Sequence, residues 1–405
     1  MQTAPLKSAH FAVRLGARAV VVTGIYVAAA AAILLTLFLL RGVVSPIVLR
    51  GVLGFVFVAA LSGGLEPGTV KAAALGPGGV DLAAPVAYLT AGALKALVAS
   101  PVLAALWRFA DPSADPAVLV WLPLIAVAGF CATDMRVLLD LKGRYGLAIA
   151  LKQGSLAGGV VIVGALAALK APLFWAVGVA TLARLALLAP ALWRGPVAAL
   201  TPAVRRLLGD RRWLELAAVS VIAAASGSAD RVFGLRYLSP AAYAGYYLTF
   251  ELFSKFWLIP YVIGPILFAR QAAGERSGRF IGGAWAFTAL AGLAFLIAAA
   301  ALMRLAPGPL TRLTGISFGP ATLVFAAGVV VGSFTQLRMA QIQGAGASRR
   351  AAGISAVSAV FSILLFYLAA RSYGAEGLLI AWLVKSLVEL ALTLAPLRPR
   401  RVSGT

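Results

Sequence analysis

The stretch that decides the fold is RGPVAALTPAVRRLLGDRRW, residues 194–213, near the middle of the 405-residue chain. It is the longest polar interruption in an otherwise apolar sequence, and Gly195 and Pro196 end the helix that precedes it. Its interior carries two arginine pairs, Arg205 with Arg206 and Arg211 with Arg212. An excess of Lys and Arg in a short loop holds that loop on the cytoplasmic side of a membrane. We therefore predict a cytoplasmic basic linker over 195–213, joining an N-terminal lobe, 1–194, to a C-terminal lobe, 214–405.

The composition is that of a polytopic membrane protein. Hydrophobic residues make up 62% of the chain, charged residues only 12%, and the mean hydropathy is +0.97. A soluble domain is about half apolar and about a quarter charged. The net charge of +22 is spread mainly over alternate loops instead of a soluble domain, so a nucleic-acid partner is not expected. The single Cys131 excludes an internal disulfide, and the single His10 excludes a histidine-based metal site.

A bilayer core of ~30 Å needs about 20 apolar residues in a helix. Twelve segments meet this requirement, with a broken amphipathic connection over 66–83. The basic residues between them favour cytoplasmic termini and an even number of spans, and the N-terminus is interpreted as a cytoplasmic tail instead of a signal peptide. The predicted spans are 19–40, 43–65, 84–107, 117–138, 146–168, 173–193, 214–238, 241–269, 280–303, 319–340, 351–370 and 376–397.

The two halves resemble each other. Lys142-Gly143 recurs 201 residues later as Gln343-Gly344, and at the same offset Arg184 matches Lys385 and Lys170 matches Arg371. Ser45-Pro46 similarly recurs as Ser239-Pro240. Since each half has six spans, the two copies have the same orientation. The predicted fold is therefore all-α, with about 12 transmembrane helices in two six-helix lobes related by a parallel pseudo-two-fold axis.

Several basic residues fall inside predicted spans, where a central charge costs at least ~2.5–3.5 kcal/mol and normally faces a bundle interior or water. Glu251 precedes Lys255, and Lys385 precedes Glu389, by four residues, a spacing that favours ion pairs on one helical face. Asp230 adjoins Arg231, but neighbouring side chains point to different faces, so these two need not pair. The six basic residues are Lys95, Lys152, Arg184, Arg231, Lys255 and Lys385.

Lys95 and Arg184 differ from the others, because we expect no acidic residue within any first-half span, with Asp134 and Asp140 at the cytoplasmic end. Their charges must be offset by water, by the second half or by an anionic ligand. We expect both to face a cleft between the lobes together with Lys255, with Arg231 in its outer part.

In segment 241–269, Tyr243, Tyr247, Glu251 and Lys255 form one stripe at a spacing of four, and its aromatic rings suit either sugar rings or ordinary packing. Pro260 and Pro265 predict a kink in this segment. The predicted substrate-binding residues are Lys95, Arg184, Arg231, Lys255, Tyr247, Glu251, Lys385 and Asp230.

Two motifs of the second half resemble known transporters. Asp230 followed by Ser239-Pro240-Ala-Ala-Tyr243-Ala-Gly245-Tyr246-Tyr247 resembles the start of the second lobe in polysaccharide flippases. The segment from Gln341 to Arg350, with Tyr373-Gly374-Ala-Glu-Gly377 beyond it, is similar to their tenth-to-eleventh loop and following hairpin. These are the O-antigen (Wzx-type) flippases of the multidrug/oligosaccharidyl-lipid/polysaccharide (MOP) exporter superfamily. In the first half the corresponding loop departs from the pattern, with Lys142-Gly143-Arg144 in place of a Gln-Gly motif.

This resemblance implies a V-shaped, MATE-like transporter of the bacterial inner membrane. It would move a polyprenyl-pyrophosphate-linked oligosaccharide, a precursor of polysaccharide or lipopolysaccharide, to the outer leaflet by alternating access. Its expected partners are that anionic glycan lipid, membrane lipids and other polysaccharide biosynthesis proteins.

Three other functions compete with the flippase. A drug/cation antiporter of the same superfamily needs an acidic residue in the first-half cavity, and none is evident there. A glycan polymerase or ligase needs a sizeable outer loop, and the loops are short, so we expect no enzyme. A structural scaffold explains none of the central charges. The sequence has no G-x-x-x-x-G-K-[ST] loop and predicts no cofactor, while coupling to H⁺ or Na⁺ stays open.

Overall fold

A computed structural model of the chain describes residues 4–64, 69–74, 80, 85–142, 144–192, 200–209, 212–272, 278–305, 307–314, 318–345 and 347–394. Almost all of them are helical, and no strand occurs among them. Parts of the predicted features lie outside these residues: the linker positions 195–199 and 210–211, the glycines 76, 78 and 79, Gly143, and both chain ends.

The helices of the first half alternate with short connections. A short 3₁₀ helix, Pro116–Trp121, leads directly into the fifth α-helix. The α-helices are α1 Ala4–Val43, α2 Pro46–Gly64, α3 Thr69–Ala74, α4 Pro85–Ala110, α5 Leu122–Leu141, α6 Tyr145–Ala168, α7 Leu173–Leu192 and α8 Leu200–Gly209.

The second half begins with α9 and contains one interrupted span. A 3₁₀ turn, Lys255–Trp257, separates α10 from α11, and α15 is broken at Gly374, where φ is 64°. The α-helices are α9 Arg212–Tyr237, α10 Pro240–Ser254, α11 Leu258–Ala272, α12 Gly278–Leu305, α13 Pro307–Thr314, α14 Pro320–Gly344 and α15 Ser348–Leu394.

Proline marks the start of several helices. Pro46, Pro85, Pro240 and Pro320 are each the first residue of their helix. Proline suits this position because its fixed φ is already helical and the missing N–H would have had no partner within the helix. In the interior, Pro260 has the opposite effect, since its ring crowds the carbonyl four residues earlier, at Phe256. The 3₁₀ turn Lys255–Trp257 interrupts the α-helix at that point, while the predicted kink stays a prediction.

The described helices account for the twelve predicted spans. Seven are long and apolar enough to cross a membrane, and one of these, Arg349–Leu394, divides into two at Gly374. Pro46–Ser62 and Leu173–Leu188 are apolar but shorter. The helix α9 carries several charges, which lower its hydropathy. The helices α10 and α11 have 15 residues each and correspond together to one predicted span, so each is too short by itself to be recognised as a membrane span.

Large apolar side chains cover the outside of the helices. Val98 is 80% exposed and Leu290 is 69% exposed, with many others above one half. A soluble protein rarely exposes such wide apolar surfaces. Lipid is the solvent in which this surface is stable.

The chain divides into two compact units, Met1–Leu252 with Leu313–Ile316, and Phe253–Arg312 with Ser317–Thr405. In each half of the sequence, the fourth span contacts several of its neighbours. In the first half, α5 contacts α2, α4, α6 and α7, and in the second half, α14 contacts α11, α12 and α15. The predicted lobe boundary at 195–213 stays a prediction.

Matching backbone hydrogen bonds show the internal repeat. After α5, the amides of Lys142, Arg144 and Ala148 donate to carbonyls four, five and four residues back. After α14, Ala345, Ala347 and Ala351 donate in the same order. The two sets are 203 residues apart, so the structural register differs by two residues from the offset of 201 that residue types suggested. The two turns superpose only at this offset, because a shift of even one residue would break the match between their hydrogen-bond patterns. Sequences rich in Ala and Leu align with each other at many offsets, so residue types alone do not fix the register of the repeat.

Part of the basic linker forms the amphipathic helix α8. Val204 and Leu207 are buried in one cluster with Tyr88 of α4, Leu138 of α5 and Val70 of α3. Arg205 points outward and is exposed. The linker is therefore docked on the first unit through an apolar face instead of running free as a solvated basic loop.

A buried cation and three charged clusters

Arg184 is a buried guanidinium near the middle of α7. It lies about 16 Å along the helix from Leu173, and it is only 3% exposed. Its aliphatic stem packs on α6 at Gly159, where an added Cβ would lie 2.9 Å from Cδ of Arg184. Nε and Nη1 have no hydrogen-bond partner, and no carboxylate within the described residues forms an ion pair with it. The described residues of the first unit thus supply no ion-pair partner for this positive charge.

Lys95 is different, because its surroundings contain an acid that sequence reasoning had excluded. Its Nζ donates to Oγ1 of Thr69 at 2.8 Å, which ties α4 to the short helix α3. Asp134 is 2% exposed, and its carboxylate lies directly over Gly92, one turn before Lys95 on α4. The expectation that no acid lies within a first-half span was therefore wrong. Asp134 is seven residues from the end of α5, and its side chain faces inward. The sequence shows how far along the helix Asp134 lies, but not to which side its carboxylate points.

Asp230 and Arg231 form a buried cluster on α9. Their carboxylate and guanidinium approach to 3.6 Å, and Tyr246 of α10 donates its hydroxyl to the Asp230 carboxylate. The Arg231 guanidinium also lies 4.6 Å from the ring centre of Phe250 and 5.7 Å from that of Phe57. Neighbouring side chains do point apart at Cβ, but the long arginine stem folds back. The pair thus fixes α9 to α10 and α2.

The aromatic stripe of α10 continues this cluster. Tyr243 and Tyr247 are fully buried with ring centres 5.8 Å apart. The Tyr247 hydroxyl is hydrogen-bonded to Glu251, which is half-buried. The Tyr243 hydroxyl is buried and has no hydrogen-bond partner among the residues that the structure describes. Asp230, Arg231, Tyr247 and Glu251, four of the predicted site residues, therefore lie in one region of the first unit.

A third charged cluster escaped the sequence reasoning. Arg50, in the first turns of α2, forms an ion pair with Asp111 at 3.0 Å and donates to the carbonyl of Leu235 near the end of α9. Asp111 also accepts from the Ser113 hydroxyl at 2.6 Å. The loops after α1, α4 and α9 therefore meet at one end of the bundle, as the predicted topology requires. A loop arginine and a loop aspartate look alike in sequence whether they pair or face water.

Lys385 belongs to the second unit and is fully compensated there. Its Nζ lies 2.8 Å from Glu389, as the four-residue spacing predicted, and 4.7 Å from the ring centre of Trp382. Ser358 donates its hydroxyl to the same carboxylate. Lys255 also lies in the second unit, as the first residue of the 3₁₀ turn, and Lys152 is half-buried on α6.

The predicted site residues thus fall into separate groups. Lys95 faces α3 and α5, Arg184 faces α6, and the α9–α10 residues form their own cluster. The expectation that Lys95, Arg184 and Lys255 line a cleft between lobes stays a prediction. Among the described residues, no group of three or more His, Cys, Asp and Glu side chains could hold a metal ion.

Comparison with known proteins identifies the fold. No protein-family model matches the sequence, and no curated protein matches it. Among solved structures, the eukaryotic MATE transporter AtDTX14 is similar with a TM-score of 0.62, at 14% identity over 94% of this chain and 95% of that one. A mutant of the Vibrio cholerae MATE transporter VcmN has a TM-score of 0.52 at 17% identity, over 93% and 92% of the two chains.

A MOP superfamily transporter from Pyrococcus furiosus is also similar, with a TM-score of 0.53 at 12% identity over 94% of each chain. Its binding pocket is described as having reverse polarity that suggests a different function. These matches cover nearly the whole chain. The predicted all-α, twelve-helix membrane fold is confirmed, and it is the fold of MATE transporters of the MOP superfamily.

Proposed function

We propose that the protein is a transporter that moves an anionic lipid-linked glycan from the cytoplasmic to the outer leaflet by alternating access. The observation that carries this proposal is Arg184, a cation in the middle of a membrane span with two unpartnered nitrogens. A buried charge without a partner is costly in an apolar interior, so its retention favours a ligand that balances it. A phosphate group of the carrier lipid supplies that charge, while the lipid tail stays in the bilayer.

The other features fit the same substrate. Short connections leave little room for a catalytic domain, which favours a transporter over an enzyme. The O-antigen-like motifs favour a polyprenyl-pyrophosphate-linked oligosaccharide in the inner membrane of a bacterium, with polysaccharide biosynthesis proteins as partners. The Pyrococcus furiosus transporter has a similar fold, and its binding pocket is described as having reverse polarity. The polarity of the pocket can therefore differ between proteins of this fold. A cationic centre in the present chain fits that kind of variation.

A transport assay tests the proposal. Full-length protein in proteoliposomes is given a fluorescent prenyl-pyrophosphate sugar, and its appearance in the opposite leaflet is followed by quenching. We expect transport by the native chain and a loss of at least tenfold in Arg184→Gln. Arg108→Gln is the matched control, because Arg108 is exposed and donates only to carbonyls of its own loop. Equal transport by native and Arg184→Gln protein would contradict the proposal.

Two buried carboxylates favour a second candidate, cation-coupled drug export. Asp134 is 2% exposed and Asp230 is fully buried, so the acidic group that this function needs is present in the first unit. Carboxylates within membrane spans commonly form proton relays or ion pathways. Efflux of a cationic dye driven by a H⁺ or Na⁺ gradient, abolished by Asp134→Asn while Arg184→Gln leaves it intact, would select this candidate over the flippase.

A further inference from the structure

We infer that the second unit binds the phosphate group of an anionic phospholipid at the end of α14, through Arg338, Gln341 and Arg350. This is the end of the helix that the basic loops predict to be cytoplasmic. The inference concerns a lipid of the surrounding membrane, so it stands independently of the transported substrate proposed above.

Arg338 is a half-buried arginine six residues before the end of α14. Its Nη1 donates to Oε1 of Gln341 at 2.8 Å, and its Nε donates to the carbonyl of Thr393, near the end of α15, at 3.3 Å. These two bonds fix the guanidinium between the two helices. Both partners are uncharged, and the sequence 320–350 contains no acidic residue, so neither the bonds nor this segment neutralises the arginine.

Gln341 adds a second donor beside the guanidinium. It is 2% exposed. Because an arginine only donates, the oxygen of the Gln341 amide faces Arg338 and the amide nitrogen is directed elsewhere. That nitrogen, Nε2, has no hydrogen-bond partner in the part of the chain that the structure describes. Buried polar groups nearly always have a partner, which favours an acceptor supplied from outside the chain.

A second guanidinium lies near the first. Arg350, the third residue of α15, is half-buried and acts electrostatically on Arg338. It occupies the first turn of α15, where the helix dipole disfavours a positive charge. Two like charges repel each other, and an anion that binds both relieves this repulsion. Guanidinium groups bind two phosphate oxygens at once, so a phosphate suits this pair of side chains.

The first half shows that the fold does not require polar groups at these positions. With the offset of 203 that the two turns give, the three residues have apolar counterparts. Arg338, Gln341 and Arg350 correspond to Met135, Leu138 and Leu147. Leu138 is buried in one cluster with Val204 and Leu207 of α8. The first half therefore covers this position with an apolar helix face, whereas the second half places hydrogen-bond donors and positive charge there.

The surroundings favour a phospholipid over a soluble phosphate. Thr393, whose carbonyl accepts from Arg338, is followed by Leu394, which is 55% exposed. Donors for a phosphate thus lie beside apolar surface of the kind that acyl chains cover. Basic pockets between transmembrane helices on the cytoplasmic side bind anionic head groups in other membrane proteins.

Native mass spectrometry of the purified full-length protein in detergent tests this inference. The probes are dioleoyl phosphatidylglycerol, a monoanion, and dioleoyl phosphatidylcholine, which has the same acyl chains and no net charge. We expect the first phosphatidylglycerol to bind at least tenfold more tightly than the first phosphatidylcholine. Equal affinities would overturn the inference. Displacement of phosphatidylglycerol by inorganic phosphate at the same concentration would show a site for soluble phosphate and would overturn the assignment to a lipid.

A carboxylate at position 341 tests the site without removing its hydrogen bond. Gln341→Glu keeps an oxygen for Arg338 in a side chain of nearly the same shape, but it neutralises the guanidinium. We expect this variant to lose the preference for phosphatidylglycerol while unfolding at a temperature close to that of the native chain. Gln343→Glu is the control, because Gln343 is exposed on the same helix, and it should retain most of the preference. An equal preference in the two variants would overturn the inference.

Two adjacent arginines provide a second matched pair. Arg350→Gln removes a half-buried charge near Arg338, and Arg349→Gln removes an exposed charge one residue earlier. We expect the first change to weaken phosphatidylglycerol binding at least fivefold and the second to weaken it less than twofold. Equal losses would show that surface charge in general attracts the lipid, and the inference would then be wrong.

Discussion

At the scale of single residues, two buried cations in equivalent hairpins have opposite surroundings. Lys385 holds Glu389 at 2.8 Å, whereas Arg184 packs its stem on Gly159 and leaves two nitrogens without partners. Breaking a buried ion pair strands the remaining charge at a cost of about 3–5 kcal/mol, but removing an unpaired charge deletes its desolvation penalty. The same substitution should therefore act in opposite directions at the two sites.

We expect Lys385→Gln to lower the free energy of unfolding by about 3 kcal/mol, and Arg184→Gln to leave it unchanged or to raise it. Thermal unfolding of the purified variants in one detergent measures both. Double substitution of Lys385 and Glu389 by Gln and Leu should recover part of the loss, because no charge is then stranded. A large loss of stability in Arg184→Gln would mean that Arg184 has a structural partner.

The glycines of α6 offer a finer test of where Arg184 lies. A methyl group at Gly159 would meet Cδ of Arg184 at 2.9 Å and Cγ at 3.3 Å, whereas at Gly158 it would meet nothing within 4 Å. We expect Gly159→Ala to displace the guanidinium and reduce anion binding at least fivefold, and Gly158→Ala to leave binding unchanged. In an Arg184→Ala background, which lacks the clashing carbons, the Gly159 substitution should have no further effect on binding.

At the scale of helices, α14 and the second arm of α15 approach unusually closely. A Cβ at Gly328 would lie 2.7 Å from the backbone nitrogen and 2.9 Å from Cα of Leu383. A backbone cannot rotate away as a side chain can, so the helices must separate to accept a methyl group. We expect Gly328→Ala to destabilise the protein by about 1–3 kcal/mol.

Gly353→Ala is the control for that substitution, because Gly353 is exposed on α15 with no atom within 4 Å of an added Cβ. There the better helix propensity of alanine should stabilise by about 0.5–1 kcal/mol. Opposite signs at the two glycines, measured by thermal unfolding, would establish the close contact. Equal effects would contradict it.

The Arg50 cluster joins three helix ends through one side chain. Arg50→Gln leaves Asp111, which is 3% exposed, without its cation, and we expect a loss of about 3 kcal/mol in the free energy of unfolding. The control, Arg108→Gln, alters an exposed side chain at the same end and should change stability by less than about 0.5 kcal/mol. Exchanging the two charges, as Arg50→Asp with Asp111→Arg, tests whether the pair itself stabilises this end. A partial recovery relative to either single change is the expected result.

At the scale of the whole molecule, the basic loops predict that both termini and the 194–213 linker are cytoplasmic. With Cys131 replaced by Ser, single cysteines at Arg205 on α8 and at Ser239 report opposite sides, because both positions are exposed. An impermeant thiol reagent added to intact cells should label Ser239→Cys and leave Arg205→Cys unlabelled until the cells are opened. Labelling of Arg205→Cys in intact cells would refute the orientation.

The sequence by itself determined the membrane class, the twelve spans, the repeat of six and the interruption of the helix before Pro260. These features depend on the length of apolar segments, on basic residues in loops and on proline. Each of them acts locally, so it can be recognised directly in the sequence. It also predicted the Lys385–Glu389 pair, because a spacing of four places both side chains on one face of a single helix.

Only the tertiary structure decided which charges are balanced. Asp134 faces α4 beside Lys95, Arg50 reaches Asp111 and the end of α9, and Arg184 meets no acid among the described residues. Contacts between helices depend on their rotation about their axes and on their relative depth. Uniformly apolar helices hold little information on either quantity, since every face of such a helix can meet lipid or protein. For this reason the sequence located the buried cations, and only the packing showed which of them have an acid beside them among the described residues.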